Sequence, residues 1–133
     1  MLAWTVAAFE ALRGVAQIAL VVASQRVDEA RELARSEGWR KVQAVVAGGP
    51  RRRDSVRIGL EALNPALEWA VIHDGARPLT TPQMIAAGLA AAQKAGVATV
   101  AAEPVNATIK RVHDDVIVET LPRPRLAQAQ TPQ

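Results

Sequence analysis

Cysteine and tyrosine are both missing from this 133-residue chain, which holds only two histidines and one phenylalanine. Without cysteine there is no disulfide, no thiolate chemistry and no cysteine-held metal. His73 and His113 cannot build a histidine-rich zinc site between them. Trp4, Trp39 and Trp69 lack regular spacing, so they read as core or edge aromatics and not as a row for stacking bases. Long apolar runs are missing too. The longest, Ile18–Ala23, is far too short to span a bilayer. The apolar opening is broken by Glu10 and Arg13 and has neither a basic leader nor a small-residue cleavage site. The expectation is a soluble, cytoplasmic protein without a membrane partner.

Half of the residues are hydrophobic, enough for one core in a chain of this length, so a single domain over residues 1–133 is expected. Much of that content is alanine and valine, and layers made of such small residues must approach closely. Sixteen Lys and Arg against 13 Asp and Glu leave a formal charge of +3. A domain that grips duplex nucleic acid spreads its cations over one face. Here the densest run, Arg51-Arg52-Arg53, directly follows Gly48-Gly49-Pro50. A small phosphorylated ligand suits that arrangement better than a nucleic acid.

Spacing of apolar residues predicts helices over Leu2–Leu12, Ser24–Ser36, from Arg53 or Asp54 to Leu63, and over Gln83–Lys94. Gly14, Asn64-Pro65 and Gly96 supply stops, and Thr80-Thr81-Pro82 is a helix entry with proline near the first position. Continuous apolar runs predict buried strands at Ile18–Ala23, Val42–Val46, Trp69–His73 and Val97–Ala102. The alternation gives an α/β fold with an open, mainly parallel, Rossmann-like sheet. After Pro104 the pattern changes. Thr108–Val112, a turn at His113-Asp114-Asp115, and Val116–Thr120 read as a β-hairpin, an arm within residues 104–121. Its apolar residues are hard to bury in a small domain, so either a partner subunit covers them or the hairpin folds back on its own sheet.

Ligands of open α/β sheets collect beyond the carboxyl ends of strands, where Gly48-Gly49, Asp74 and Thr108 all fall. The glycines let a backbone approach a ligand, with Ser55 beside the free N–H groups of a helix start. The same residues also suit a tight strand–helix turn capped by Ser55 or Asp54. In His73-Asp74-Gly75-Ala76-Arg77-Pro78, Asp74 is a hard oxygen ligand for magnesium carried by a triphosphate. Arg77 can hold a phosphate through two parallel hydrogen bonds. Alternatively, Asp74 and Arg77 pin a loop. His73 reads as a packed imidazole. Strand alternation sets Thr108 and Lys110 on one side and Arg111 on the other, so Thr108 is favoured as a contact, with Lys110 second. Arg123, between Pro122 and Pro124, is a further phosphate clamp, and Thr131 ends the chain with a hydroxyl where a restricted turn begins.

These segments, in this order and spacing, resemble the 2-C-methyl-D-erythritol 4-phosphate cytidylyltransferase family of the non-mevalonate isoprenoid pathway. The resemblance spans the whole chain, through Gly48–Arg52, Asp54-Ser55-Val56, His73–Pro78, Pro104-Val105, Thr108, Lys110-Arg111, Arg123 and Thr131-Pro132-Gln133. It implies transfer of CMP from CTP to the methylerythritol phosphate, with magnesium, in a homodimer whose arm reaches the neighbouring subunit. Gly49, Arg52 and Ser55 then match nucleotide contacts. Asp74 and Arg77 match substrate- and metal-proximal groups, with Asp74 and Arg123 as the catalytic pair. Thr108, Lys110, Arg123 and Thr131 match substrate contacts, Thr108 and Arg123 from the partner subunit. Ala107 and Pro122 replace aspartates typical of the family, and Ala127 replaces a large aromatic. The family's opening strand, its glycine-rich loop with an arginine and a lysine, and a final strand–helix portion with a lysine do not fall within the chain. The chain is therefore expected to be unstable or inactive alone. A pentitol-phosphate cytidylyltransferase and a non-catalytic dimerisation or nucleotide-binding module are the rival readings.

Overall fold

The computed structural model describes all 133 residues. Two strands, β1 (Ile18–Val22) and β2 (Val42–Ala47), pair in parallel, with Leu20 opposite Val45 and Val22 opposite Ala47. Helix α1 (Leu2–Glu10) precedes them, and α2 (Val27–Ser36) crosses from one to the other after a short 3-10 turn at Ser24–Arg26. The Glu10 carboxylate accepts from the Lys41 amide at 2.8 Å and the Arg40 amide at 3.3 Å, fastening the end of α1 to the start of β2.

α2 turns Ala30 inward and carries charge outward, as its apolar spacing requires. Asp28 and Glu29 sit in its first turn, where the helix dipole favours carboxylates. Arg26 holds the Glu29 carboxyl below its usual range, first by its hydrogen bond and then by its charge. Helix α3 (Arg52–Glu61) lies against β1 through Gly59, where a Cβ would stand 2.9 Å from Val21 Cγ2. That is the close approach a small-residue core demands. α4 (Pro82–Ala95) starts as its sequence signals: the Thr81 hydroxyl accepts from the Met84 amide at 3.2 Å, Pro82 takes the first position, and Gly96 ends it at φ 65°. Ile85 on this helix is the most deeply buried side chain, only 1% exposed.

The α/β layering agrees with the expectation, but the sheet is shorter than the apolar runs predict. Parallel pairing is confined to β1 and β2. Trp69–His73 is not a strand. Its one ladder contact is the reciprocal pair in which the Ile72 amide donates to Gln133 (2.8 Å) and the Gln133 amide to Ile72 (2.9 Å). Trp69, Ala70, Val71 and His73 exchange no main-chain hydrogen bond. A strand exists only as part of a ladder, and here the free edge of β1 stands across an apolar cavity of about 390 Å³ lined by Leu20, Phe9, Leu63 and Trp69. Val97–Ala102 shrinks likewise. Only β3 (Ala102–Pro104) is strand, paired antiparallel with β6 (Ala127–Ala129), because the returning chain reaches no further back than Ala101.

The hairpin forms with shifted bounds: Thr108 and Ile109 precede its first strand, and His113, read as part of the turn, pairs with Val116 within the ladder. β4 (Lys110–His113) and β5 (Val116–Thr120) pair antiparallel, and Asp114 and Asp115 take φ of 46° and 63°, the two positive angles of a tight hairpin turn. Every strand residue in it is exposed. Lys110 bonds the Thr120 hydroxyl at 2.7 Å while Arg111 pairs with Glu119 at 3.0 Å, so the two cations take different partners, in keeping with the alternation expected of them. Of the tryptophans read as core or edge aromatics, Trp39 is half-buried and Trp69 is 37% exposed, and only Trp4 departs from expectation. Trp4 is 76% exposed and stands outside the core, although Ala8, one turn further along the same face of α1, is buried.

Candidate active site

The glycine turn, the start of α3 and the loop after Ile72 come together at the carboxyl ends of β1 and β2. Gly48 donates to Val22 at 2.8 Å and Gly49 to the Ser55 hydroxyl at 3.1 Å. Both glycine amides are therefore engaged within the protein, which is the tight-turn reading. Neither has a positive φ. What demands glycine is space: a Cβ on Gly48 would lie 2.8 Å from Ser55 Oγ, and one on Gly49 2.6 Å from Asp54 Cβ. α3 begins at Arg52 with Arg51 at the cap position and no side-chain cap, so neither Asp54 nor Ser55 caps it. Asp54 instead accepts from Arg51 Nε at 2.9 Å.

Asp74 is held between two guanidiniums. Arg52 Nη2 reaches Oδ1 at 3.3 Å, and Arg77 Nε reaches Oδ2 at 3.3 Å. Arg52, Ser55 and Asp74 line one cavity of about 310 Å³ whose inner wall is Val21, Val22 and Val71. The carboxylate and both cations are partly open to solvent, so each ion pair contributes little, about 0–1 kcal/mol, and an arriving phosphate displaces it cheaply. The Arg77 turn is braced from behind. His73 Nε2 lies 3.1 Å from the Arg77 carbonyl and 3.3 Å from the Thr80 hydroxyl, and its ring packs against Phe9 at 5.4 Å. A packed, hydrogen-bonded imidazole is what the sequence suggested.

The other expected site residues lie elsewhere in this subunit. No hydrogen bond or ion pair links Thr108, Lys110 or Arg123 to the Asp74 cluster. Lys110 is bound to its own hairpin, and Arg123 donates to the Asn106 carbonyl at 3.1 Å. Thr131 is only 6% exposed and its hydroxyl has no partner, so it faces the interior and not the open cavity.

Two residues join the cluster without having been given a site role from the sequence, Gln130 and the Gln133 of the Thr131-Pro132-Gln133 match. Gln130 accepts a hydrogen bond from Arg77, and Gln133 accepts one from Arg52 at 3.5 Å. Their role depends on the chain returning antiparallel beside β3 and ending against Ile72, a path that no local pattern announces. The signals available were the Thr131-Pro132-Gln133 match for Gln133 and, for Gln130, its spacing of three from Gln133.

Comparison with known proteins bears on this geometry. The family model for 2-C-methyl-D-erythritol 4-phosphate cytidylyltransferase matches residues 1–133. The enzyme of that name from Dehalococcoides mccartyi (strain CBDB1) is 46% identical over 134 residues, covering 100% of this chain and 58% of that protein. The one from Alkaliphilus metalliredigens (strain QYMF) is 43% identical, covering 97% of this chain and 54% of that protein. Among solved structures, the 2-C-methyl-D-erythritol 4-phosphate cytidylyltransferase from Thermus thermophilus superposes with a TM-score of 0.68 at 31% identity, over 97% of this chain and 56% of that one. The 4-diphosphocytidyl-2C-methyl-D-erythritol synthase from Anaerococcus prevotii DSM 20548 shares the fold, with a TM-score of 0.83 at 24% identity over 98% of this chain and 57% of that one. The chain thus spans little more than half the length of these relatives. With its whole length matched and its strand-end cluster in place, the chain belongs to the 2-C-methyl-D-erythritol 4-phosphate cytidylyltransferase family.

Proposed function

We propose that this chain supplies part of a site that transfers CMP from CTP to 2-C-methyl-D-erythritol 4-phosphate with release of pyrophosphate, and that it does not turn over alone. The observation that carries the reading is Asp74 held between Arg52 and Arg77 at the mouth of the Ser55 cavity, in a chain of this family. A phosphate oxygen of the alcohol phosphate attacks the α-phosphorus of CTP, and the bond to the bridging oxygen breaks as pyrophosphate leaves. The nucleophile is already an anion, so no protein base is needed. What the protein provides is alignment and charge neutralisation. Arg52 and Arg77 can exchange Asp74 oxygens for phosphate oxygens at little cost, because these ion pairs are exposed and weak.

No three acidic or histidine side chains gather anywhere in the chain, so the protein offers no metal cage. That fits magnesium, which takes one or two carboxylates and completes its shell with substrate phosphate oxygens and water. Asp74 is the carboxylate within reach. Asp74 would hold magnesium there, and the ion would supply neutralisation of phosphate charge.

The exposed arm supports a homodimer in which Thr108, Lys110 and Arg123 complete the site of the other subunit, residues 104–121 forming the reaching element. Thr131, with a buried hydroxyl lacking any partner, is suited to a ligand or water that enters beside it.

Calorimetry of CTP with magnesium tests the site. The chain binds the nucleotide, and Arg52→Met weakens binding about tenfold, the worth of one charge-assisted hydrogen bond. Failure of the unaltered chain to bind CTP defeats the reading. In the same buffer with methylerythritol phosphate added, pyrophosphate stays at background. Turnover that vanishes in Asp74→Asn would show that the chain is sufficient after all.

A further inference from the structure

The polar side chains around Asp74 close into a ring. Arg77 donates through Nη1 to Gln130 Oε1, and its Nε forms an ion pair with Asp74 Oδ2 at 3.3 Å. Arg52 Nη2 donates to Asp74 Oδ1 and to Gln133 Oε1. Gln133 Nε2 then donates to the Gln130 carbonyl at 3.3 Å, returning to the starting residue. Outside the ring, Gln130 Nε2 donates to Glu103 Oε2 at 3.2 Å. Each carboxamide is thus oriented by what its NH2 group donates to, and each presents its oxygen to a guanidinium.

The charge inventory of this ring is informative. Two cations and one carboxylate leave it with one net positive charge. The acceptors completing the guanidiniums are neutral. A carboxylate in place of either glutamine would hold its arginine more strongly and cancel the ring's charge. The amide holds the cation in place and leaves the charge available. Gln130 also stands between Arg77 and Glu103, accepting from the arginine through its oxygen and donating to the acid through its NH2 group.

We infer that Gln130, supported by Gln133, is a positioning residue of the phosphate site: it orients Arg77 through a neutral oxygen and keeps Glu103 from discharging it. This rests on the reading of Arg52, Asp74 and Arg77 as an anion site, and deepens it. Such a residue acts through Arg77, and that makes its role separable from a packing role. With Arg77 present, loss of the amide frees the guanidinium to swing and to meet Glu103. With Arg77 gone, the amide has nothing left to orient.

Inorganic pyrophosphate, without metal, is the probe, with binding to the full 133-residue chain followed by calorimetry. Gln130→Met, close in length and without polar atoms, is expected to weaken binding about fivefold, in keeping with the net worth of one hydrogen bond. Gln130→Glu, nearly isosteric, is expected to weaken it further by adding an opposing charge. In an Arg77→Met background, Gln130→Met has no additional effect. Thermal melting of each variant monitors the fold. If Gln130→Met binds as the unaltered chain does, or loses the same factor in both backgrounds, the positioning role is wrong while the anion site stands. If the unaltered chain fails to bind pyrophosphate, the anion site itself is wrong, and the role of Gln130 goes with it.

Discussion

Gly49 and Gly59 are both places where a methyl group has no room, yet alanine should cost different amounts at the two. A Cβ on Gly49 would lie 2.6 Å from Asp54 Cβ and 3.4 Å from the Asp54 carbonyl carbon, so α3 itself must move. Overpacking of that kind costs about 1–3 kcal/mol. On Gly59 the obstacle is a single side-chain methyl of Val21 and no backbone atom, and alanine recovers up to about 1 kcal/mol of helix propensity that offsets part of the clash. The expected outcome is a clear drop in the urea midpoint for Gly49→Ala and a small change for Gly59→Ala; equal losses would contradict the packing argument. The double glycine was visible in the sequence. Its reason was not, because the crowding comes from residues of the following helix and not from backbone conformation.

The β4–β5 hairpin is an element whose local and global requirements diverge. Its turn and alternation were legible because a hairpin is specified by residues adjacent in sequence. Nothing in its own chain covers it: Val112, Val116, Ile117 and Val118 are all more than half exposed. Apolar pairs such as Val112 opposite Ile117 gain little until another surface meets them. Were the arm to mediate the proposed dimer, Ile117→Asp should shift the sedimentation profile toward monomer by about tenfold or more in dissociation constant, while the hairpin persists. An unchanged profile would remove the arm from the interface. Lys110 and Arg123 were legible as cations, but their partners, Thr120 and the Asn106 carbonyl, follow from the hairpin register and the return of the chain.

Over the molecule as a whole, burial is thin: 11 of 133 residues are buried, and apolar cavities separate β1 from the loop that follows Leu67. That loop, read as a strand, has strand composition and no ladder. Amide exchange should therefore divide it sharply. Ile72 and Gln133, which bond each other, exchange slowly, and Ala70, Val71 and His73 exchange near the rate of an open chain. Uniform protection from Ala70 to His73 would mean that a ladder forms after all. The same cavities should take up a hydrophobic dye, as loosely filled apolar space does.

Helix positions, the Thr81 entry and Gly96 end of α4, the hairpin turn, the parallel pair and the candidate roles of Asp74 and Arg77 could all be read from the order of residues alone. Each depends on periodicity or on neighbours a few positions away. The ring that joins Arg52, Asp74, Arg77, Gln130 and Gln133 could not, nor could the failure of Trp69–His73 to become a strand. Those outcomes turn on which distant main-chain groups come within hydrogen-bonding distance of each other, and that is settled only when the folded chain brings its last residues back beside Ile72.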